Sequence, residues 1–378
     1  MNILYVAPLP IDLKVLGGVP KKIICQAKAL SVKNNVDIIF YNEGRVLLYN
    51  VFQKDFFVIA KGRSKIDVIR NLSTVVKQKN YQGIYIRYPN SDMFFIQSLK
   101  YLSKSNPTIV VEIPTYPYDK EGMETLRGKV ISFLDRRYRN KMAKYIDRVV
   151  TFSKDDYIFG IPTIRTINGI NFSDIEYDTT VVDNERRIDL IAVSAMFKVH
   201  GYDRLIEGLK EYYSKGGRRN IVLKLIGKGD ECSRYEKLTK EYGLQQHVLL
   251  LGPQYGDDLD KSYEGVSLGV NSLAIHRQGL EEESTLKTKE YAAKGLPVLS
   301  SSYVDAFSIE GNNKYVFRIP PDETSVNVEQ LIRFIDDIYA DPVNVVREDI
   351  RKDGMKTCDI SITMDPILKF FEKGAVKC

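Results

Sequence analysis

The sequence predicts an α/β protein that is built from two domains of similar size. The chain has 378 residues, which is more than one ordinary hydrophobic core accommodates. Short apolar runs typical of buried strands alternate with segments of helical periodicity, and this alternation is typical of parallel sheets covered by helices. The alternation starts again near residue 188, after a polar stretch. We therefore expect a second sheet of the same kind in the second half of the chain.

The composition excludes several classes of protein. Hydrophobic residues make up 44% of the chain and charged residues 28%, which is ordinary for a soluble globular protein. No run approaches 18 apolar residues, and the segment 1–8 resembles a first strand more than a signal peptide. The four cysteines show no CxxC spacing, which argues against a zinc site and fits a reducing cytoplasm. A net charge of +6 argues little for nucleic acid, but it is compatible with phosphorylated ligands or an anionic membrane.

The first half predicts strands with helical patterns between several of them. The predicted strands are 2–7, 36–41, 55–59, 83–87, 108–113 and 148–152. Gly17 and Gly18 lie between the first strand and a helix predicted over 21–30. Glycines before a helix let the backbone approach a phosphate closely, although a plain turn explains the pair equally well. An aromatic loop, 114–119, follows the fifth strand at the end where open α/β sheets bind ligands.

A long basic segment, predicted to be helical from Leu126 to Ile146, follows this loop. Asp135 is its only acidic residue. Its basic residues are Arg127, Lys129, Arg136, Arg137, Arg139, Lys141 and Lys144. Its apolar residues repeat at helical spacing, and they are Leu126, Val130, Phe133, Leu134 and Tyr138. One interpretation is a packed helix with a solvated basic face. The other is that the helix 127–144 faces anionic lipid or a lipid diphosphate acceptor.

The second half repeats the alternation of strands and helices without repeating the sequence. Its predicted strands are 188–193, 222–226, 248–251 and 268–271, and its predicted helices include 202–213 and 234–242. A turn at 168–172 and a polar, acidic segment after it indicate a domain boundary. We therefore predict an N-terminal domain over 1–170 that is completed by a C-terminal helix over 362–378, a linker over 171–187, and a second domain over 188–358.

The segment 279–298 carries the most informative pattern in the chain. A polar loop is followed by a predicted helix over 285–294, which Gly295 ends, and then by a short buried strand over 296–300. Ser284 and Thr285 are candidates for the N-cap, so the amides of Thr285 and Leu286 are expected at an exposed helix N-terminus. Such an end binds anions. Lys287 adds positive charge there, and the carboxylates of Glu282 and Glu290 flank it. This combination suits a ligand with a diphosphate and hydroxyl groups, such as a nucleotide sugar.

Four motifs resemble those of the GT-B glycosyltransferases, and within them the large retaining family 4. The first is Gly17-Gly18 after strand one. The second is the strand 149–153 with Asn-Gly-Ile at 168–170. The third is Leu-Ile-Gly-Lys-Gly at 225–229 followed by 247–252. The fourth is Glu282 and Glu290, which seven residues separate, followed by Ala-Lys-Gly-Leu-Pro-Val at 293–298. A lone E-x7-E is common by chance, but its place before this last segment makes the combination specific. The resemblance covers most of the chain.

The resemblance implies a fold and a set of site residues. It implies a GT-B fold, in which two Rossmann-like α/β domains, an acceptor-side N-terminal one and a C-terminal donor one, face each other across a cleft. Glu282 and Lys198 are the expected catalytic residues, with Glu282 at the donor sugar and Lys198 at the phosphates. The expected donor-binding residues are Gly17, Gly18, His200, Gly227, Ser284, Thr285, Leu286, Lys287 and Glu290. Among these, Glu290 would bind the ribose, and His200 stands where the family has a lysine.

Two departures from the family pattern concern charge and proton transfer. The arginine that the family places in the loop after the first strand of the second domain has no match in 194–201, and Lys287 is a candidate to compensate for it. The family's N-terminal histidine is also missing, because all three histidines lie in the second half of the chain. Hydroxyl groups of the loop residues Thr115, Tyr116 or Tyr118 are the candidates to replace it.

The expected function is transfer of a sugar from a nucleotide-diphosphate sugar to a glycan or lipid-linked acceptor. The resemblance implies retention of configuration, no cofactor and no metal, and a role in bacterial surface polysaccharide synthesis. We expect a cytoplasmic enzyme, peripheral on the inner face of the membrane if helix 127–144 binds lipid, and no nucleic-acid partner. A sugar-nucleotide epimerase and a non-catalytic GT-B subunit that partners a transferase are the alternatives.

Several neighbours of the motif have simpler interpretations. Glu281 and Glu283 are expected to be solvated loop charges. Lys287 and Lys289 point to different sides of the predicted helix, so at most one of them is expected to face the phosphates. The segment 276–277 either closes over the donor or is a plain surface loop.

Overall fold

The computed structural model of the chain describes residues 1–14, 18–119, 125–177, 180, 182, 184–279 and 282–375, with only the backbone at Glu282 and Ala375. The predicted site residue Gly17 and the loop glutamate Glu281 lie outside these ranges. The chain forms two compact units. One unit combines Met1–Gly169 with Ile360–Cys378, and the other is Ile170–Asp359.

The N-terminal unit is built on a mixed sheet. Its strands are β1 (Asn2–Pro10), β2 (Asn35–Asn42), β3 (Arg45–Asn50), β4 (Phe56–Lys61), β5 (Gly83–Arg87), β6 (Thr108–Ile113), β7 (Arg148–Thr151), β8 (Tyr157–Ile158) and β9 (Ile161–Arg165). Within the described residues these strands form one nine-stranded sheet in the order β4-β3-β2-β1-β5-β6-β7-β9-β8. The strands from β2 through β1, β5, β6 and β7 to β9 pair in parallel, as predicted.

One edge of this sheet departs from the predicted parallel arrangement. β2, β3 and β4 pair in antiparallel fashion, and β3 has no counterpart among the predicted strands. The chain reverses at Glu43 and Gly44, which both have positive φ angles, of 44° and 77°. Two consecutive residues of this kind form the tight turn that joins antiparallel strands. The predicted strand 55–59 is therefore the outer strand of a hairpin extension.

The sheet is buried on both faces. Its helices are α1 (Gly18–Ser31), α2 (Lys65–Gln78), α3 (Met93–Leu102) and α4 (Leu126–Tyr138). In β1, Leu4 and Val6 pack in one apolar cluster with α2 and α3, whereas Ile3 and Tyr5 pack in another with α1. This alternation follows from the two-residue period of a strand.

The basic segment differs in two ways from the predicted packed helix over 126–146. The α-helix ends at Tyr138, and a 3₁₀ segment, Arg139–Lys144, follows it. The apolar side chains at 126, 130, 133 and 134 are exposed, and Asp135 is the buried residue of α4, all of whose residues are described. The chain bends after Tyr138, and this brings Met142 into the apolar core while α4 stays outside it.

The C-terminal unit contains a parallel sheet. Its strands are β10 (Arg187–Val193), β11 (Asn220–Ile226), β12 (Val248–Gly252), β13 (Leu268–Val270), β14 (Glu282–Glu283), β15 (Val298–Ser300), β16 (Tyr303–Val304) and β17 (Val316–Arg318). Its helices are α5 (Tyr202–Ser214), α6 (Cys232–Glu241), α7 (Asp257–Tyr263), α8 (Leu286–Ala293), α9 (Ile309–Tyr315), α10 (Val328–Ile338) and α11 (Val343–Cys358). In the described part of this unit the main sheet has the order β12-β11-β10-β13-β15-β17, and β14 pairs with β16 separately.

The last helix, α12 (Ile360–Ala375), returns to the N-terminal unit. It begins two residues before the predicted start at 362 and packs on α1, with Met364 and Ile367 in the same apolar cluster as Ile3. The Thr166 hydroxyl donates to the Thr363 carbonyl at 2.6 Å, which fixes the start of α12 to the end of the first unit's chain. No helix in the described ranges is long and apolar enough to cross a membrane.

Candidate active site

Helix α8 is fixed beneath the carboxyl ends of β10 and β13. The Tyr291 hydroxyl accepts from the Val193 N–H and donates to the Val270 carbonyl, both at 3.2 Å. A Cβ at Gly269 would lie 2.5 Å from the Tyr291 ring, so glycine permits this close packing. Gly295 ends the helix with φ +71°, as predicted. These contacts aim the amino end of α8 at the loops that follow the strands.

The N-cap residue of α8 does not cap the helix with its own side chain. Thr285 occupies the N-cap position in an extended conformation, and its side chain makes no cap hydrogen bond. Its hydroxyl instead lies 3.4 Å from Asn271 Oδ1 and 3.4 Å from Thr288 Oγ1. The N-cap prediction is therefore correct for position and wrong for capping by the threonine hydroxyl. Amides without a side-chain cap and the positive end of the helix dipole together favour an anion at this place.

Lys287 places a buried ammonium group beside this helix end. Its side chain is 8% exposed, and Nζ donates to the Ser272 hydroxyl at 3.0 Å. Burial lowers the pKa of Lys287 to about 8, with the nearby Glu283 carboxylate opposing the shift. No carboxylate whose side chain the structure describes forms an ion pair with Lys287, so its buried ammonium has a high free energy, which a bound anion would lower.

The carboxylate that the structure anchors at this site is Glu283. It accepts hydrogen bonds from Asn271 Nδ2 at 2.8 Å and from the Ser272 hydroxyl at 3.0 Å, and the Ser302 hydroxyl lies 3.4 Å away. The prediction that Glu283 is a solvated loop charge is therefore wrong, because these groups hold it in place. Glu282 lies in β14, where its backbone pairs with Tyr303. Glu290 is half-buried on α8.

The loop after β10 carries Lys198 and His200 in a 3₁₀ turn. Lys198 is exposed and forms no ion pair within the described part of the chain. The His200 ring stacks between Phe197 and Tyr202, and its Nδ1 accepts from the Phe197 N–H at 3.0 Å. Burial and the neighbouring Lys287 lower the pKa of His200 to about 3. His200 is therefore neutral at pH 7 and carries its hydrogen on Nε2, so it supplies a donor where the family has a charged lysine.

Arg277 holds this loop in place. Its guanidinium donates to both carboxylate oxygens of Asp203, at 3.0 and 2.8 Å, and to the backbone carbonyl of Lys198 at 3.1 Å. It also pairs with Glu323. The Leu273 N–H donates to the His200 carbonyl at 2.8 Å, which joins the two loops directly. The interpretation of 276–277 as a plain surface loop is wrong for Arg277, because its side chain organises the loop that carries Lys198.

Gly227 and Gly201 allow the neighbouring loops to approach. A Cβ at Gly227 would lie 1.8 Å from the Ser194 carbonyl oxygen, and the residue has φ +133°. A Cβ at Gly201, where φ is +60°, would lie 2.5 Å from the Ala274 Cβ. The loops after β10, β11 and β13 therefore meet at the carboxyl edge of the sheet, where ligands bind in such folds.

Lys289 belongs to the structure of the donor loop. It is fully buried and pairs with Asp305, and its Nζ also donates to the Ser284 hydroxyl at 3.2 Å. Ser284 is thus engaged with a structural lysine. The two lysines of α8 have different partners, and Lys287 contacts the Ser272 hydroxyl. The other, Lys289, has its own carboxylate partner.

In the N-terminal unit, Gly18 is the first residue of α1, and a Cβ there would meet nothing within 4 Å. One turn later, Lys22 donates to the fully buried Glu112 at 2.8 Å, and Arg87 donates to the same carboxylate at 2.9 Å. Burial opposes ionisation of Glu112, but these two cations hold its pKa at about 2. The start of α1 is therefore tied to the ends of β5 and β6 by a buried ionic cluster.

The three predicted hydroxyl-bearing residues of the loop after β6 differ in their contacts and exposure. Tyr118 donates to Asp135 Oδ2 at 2.8 Å, so its hydroxyl is already engaged in the protein. Tyr116 packs edge-on against Phe159, and Thr115 is exposed. Of the three predicted substitutes for the missing histidine, Tyr118 is therefore a structural residue that fixes the loop.

Comparison with known protein families identifies the C-terminal unit. Residues 176–356 match the family model described as glycosyl transferases group 1. These residues are therefore a glycosyltransferase group 1 domain, and the protein is a glycosyltransferase. A search of curated protein sequences finds no match to this glycosyltransferase.

Solved structures share the whole fold of the glycosyltransferase at low sequence identity. HepE of Anabaena, in complex with UDP, is 12% identical with a TM-score of 0.65, and the match covers 99% of this chain and 100% of HepE. A glycosyltransferase of Rickettsia africae is 14% identical with a TM-score of 0.65, covering 100% and 99%. The lipopolysaccharide outer core galactosyltransferase WaaB is 13% identical with a TM-score of 0.57, covering 100% and 99%. These likenesses confirm the predicted GT-B fold of two Rossmann-like domains.

The motif pattern located α8 but missed three of the side chains that organise the candidate site. Asn271 and Ser272 follow β13 directly, and polar residues at that position in a parallel strand are a usable signal. Glu283 stands next to the motif glutamate in a run of three, so spacing alone could not select it.

Proposed function

We propose that this glycosyltransferase uses a nucleotide-diphosphate sugar, whose diphosphate binds at the amino end of α8. The buried ammonium of Lys287 in the first turn of α8, whose N-cap residue makes no side-chain cap hydrogen bond, is the observation that carries the proposal. A diphosphate would bring negative charge into contact with the Lys287 ammonium, which Glu283 matches only in part, and it would accept hydrogen bonds from the amides near Leu286. The UDP found with the structurally similar HepE makes UDP the first ligand to test.

The other donor-site residues have assigned roles in the proposal. Lys198 and the Nε2–H of His200 contact the phosphates, Glu290 accepts from the ribose hydroxyls, and Glu282 contacts the donor sugar. Gly17 and Gly18 keep their expected role as donor-binding residues. Lys287 takes over the charge of the unmatched arginine. No metal or cofactor is part of the proposal.

We propose transfer with retention of configuration. The bond between the anomeric carbon and the leaving phosphate oxygen breaks, and the acceptor hydroxyl attacks from the same face. Its proton passes to the departing phosphate oxygen, so the products are the glycoside and the nucleoside diphosphate. Stabilising the developing charge on the diphosphate is the main task of Lys198, Lys287 and the α8 amides. NMR analysis of the product's anomeric configuration tests this step, and an inverted product would refute it.

The acceptor in this proposal is a glycan or a lipid-linked saccharide of bacterial surface polysaccharide synthesis. The enzyme is placed in the cytoplasm, peripherally on the inner face of the membrane, with the basic segment 127–144 toward the lipid. The N-terminal unit is the acceptor side, and Thr115 and Tyr116 are the loop residues that remain available to a sugar.

Donor binding is tested by thermal unfolding with UDP, and then with a panel of nucleotide sugars. A ligand at 100 times its Kd stabilises a protein by roughly 2.7 kcal/mol. Turnover of the best donor is then compared between wild type and Glu282→Ala, with the exposed Glu310→Ala as the matched control. Unchanged turnover in Glu282→Ala would show that this carboxylate is not catalytic. A wild-type protein that binds no nucleotide sugar would refute the donor proposal.

A further inference from the structure

The apolar side chains of α4 form a stripe that points to solvent. Leu126 is 82% exposed, Phe133 69% and Val130 58%, and Leu134 is also exposed. Their spacing of four, three and one residues puts them on one side of the helix. Soluble proteins rarely leave a contiguous apolar surface of this kind uncovered, and such a stripe is typical of an interaction site.

A polar clamp, rather than apolar packing, holds α4 to the protein. The buried Asp135 carboxylate accepts hydrogen bonds from the Ser91 N–H at 2.6 Å, from the Tyr118 hydroxyl at 2.8 Å, and from the Tyr88 hydroxyl. Asp135 is the only acidic residue between 126 and 146. With its one acid turned inward, the helix is left with an outer surface of apolar and basic side chains.

The exposed charges on this segment are all positive. The exposed cations of α4 and the 3₁₀ segment after it are Arg127, Lys129, Arg136, Arg137, Lys141 and Lys144. Helices that lie in a membrane interface combine an apolar stripe with flanking lysine and arginine in this way. Positive charge complements the anionic headgroups of a cytoplasmic leaflet. A purely apolar stripe would fit a second protein, but this charge pattern favours lipid.

We propose that α4 and the 3₁₀ segment after it are a docking surface for an anionic lipid bilayer. Leu126, Val130 and Phe133 insert at the boundary of the acyl chains, and the cations contact the headgroups. This inference deepens the peripheral membrane location given under the proposed function and rests on it. It adds an apolar insertion element to a surface that the sequence marked by its charge.

The same clamp joins the docking surface to the candidate acceptor loop. Tyr118 of that loop donates to Asp135, and Asp119 pairs with Arg139 at 2.8 Å and with Arg136 at 3.3 Å. Arg139 also lies over the Phe159 ring, 4.6 Å from its centroid. A docked α4 therefore holds the loop 114–119 close to the lipid surface, where a lipid-linked acceptor would present its sugar.

Vesicle co-sedimentation of the full chain tests the proposal, with phosphatidylcholine vesicles compared with vesicles that contain about 30% phosphatidylglycerol. We expect wild type to bind the anionic vesicles at least about tenfold more tightly. Leu126→Ser/Val130→Ser/Phe133→Ser keeps every charge and should lose at least about tenfold in binding. Arg127→Gln/Lys129→Gln/Arg137→Gln keeps the apolar stripe and should lose about fivefold for each charge removed. Phe52→Ser is the control, because Phe52 is 82% exposed on the same unit and lies outside α4.

The outcomes separate this proposal from the proposed function. Vesicle binding needs no donor, and UDP-dependent thermal stabilisation needs no lipid. Equal binding to neutral and anionic vesicles, or unchanged binding of the triple serine variant, would overturn the docking surface while leaving the donor site untouched. A wild-type protein that binds neither vesicle would also overturn it and would point to a protein partner for the stripe. Circular dichroism of each variant establishes that lost binding is not lost folding.

Discussion

Replacing Lys287 with methionine should make the free protein more stable and should weaken its binding of the donor. The pKa of Lys287 falls from 10.5 to about 8 on folding, which corresponds to roughly 3 kcal/mol of destabilisation at pH 7. Methionine removes this cost but loses the hydrogen bond to Ser272, worth about 1 kcal/mol. The net gain of about 2 kcal/mol corresponds to a rise in Tm of roughly 4–8 °C for a unit of this size.

The dependence on pH distinguishes this cause from better packing. Because the pKa is lowered in the folded state, the unfolded protein holds the proton between pH 8 and 10.5 whereas the folded protein has released it. Wild-type stability should therefore rise across this range relative to Lys287→Met, and the advantage of the variant should close toward pH 10.5. Urea unfolding of both proteins at pH 7, 9 and 10 measures the difference.

Ligand binding completes the test. A bound diphosphate needs the charged amine, so UDP should stabilise wild type against unfolding. The Kd of Lys287→Met for UDP should be at least about tenfold higher than that of wild type. Wild-type affinity should fall as the pH rises above about 8, where the free amine loses its proton. A variant that is less stable than wild type at pH 7, or an advantage that does not change with pH, would refute the reasoning.

Three further substitutions probe the groups around the two sites. Asp135→Ala removes the acceptor of one buried and two part-buried hydrogen bonds and should lower the free energy of unfolding by about 3 kcal/mol, measured by urea denaturation; a loss below about 1 kcal/mol would contradict the clamp. Arg277→Lys cannot bridge Asp203 and the Lys198 carbonyl together, so the KM for the donor should rise about tenfold with a smaller change in kcat. Lys289→Met leaves the half-buried Asp305 carboxylate without its lysine partner and should cost about 3 kcal/mol in thermal or chemical unfolding. Equal stability of this variant and wild type would show that the buried pair is not needed.

The sequence predicted the fold where strands are buried on both faces. β5 and β6 have the bounds that their apolar runs predicted, 83–87 and 108–113, because both faces of these parallel strands are covered and apolar residues fill most of their positions. The polar Glu112 of β6 is buried with Lys22 and Arg87 as its partners. The sequence-based strand prediction missed β3, because this strand is recognised only when Glu43-Gly44 is identified as a hairpin turn. Periodicity within a strand carries no information about the direction of its neighbour, so the antiparallel edge needed the structure.

Helix α4 shows a different limit. Helical spacing predicts that Leu126, Val130 and Phe133 share a side, but it does not say whether that side meets a core or the solvent. What decided the orientation was a single acid, Asp135, whose partners Tyr88 and Tyr118 lie in other loops of the fold. Such a preference depends on which loops meet, which is a property of the whole sheet and not of the segment.

The two lysines of α8, Lys287 and Lys289, have different roles although they lie within one turn of the helix. Lys289 has Asp305 in contact, so its charge is matched inside the protein and its burial fixes the donor loop. Lys287 contacts a hydroxyl instead, with Glu283 held by Asn271 and Ser272, and its charge remains only partly matched. A site that binds an anion must keep such an imbalance in the free protein, because a cation already neutralised by a contacting carboxylate would gain little from the ligand. A lowered pKa, as at Lys287, is therefore expected for a lysine that binds a ligand. A lysine that holds the surrounding loop in place is expected to pair with a carboxylate, as Lys289 does.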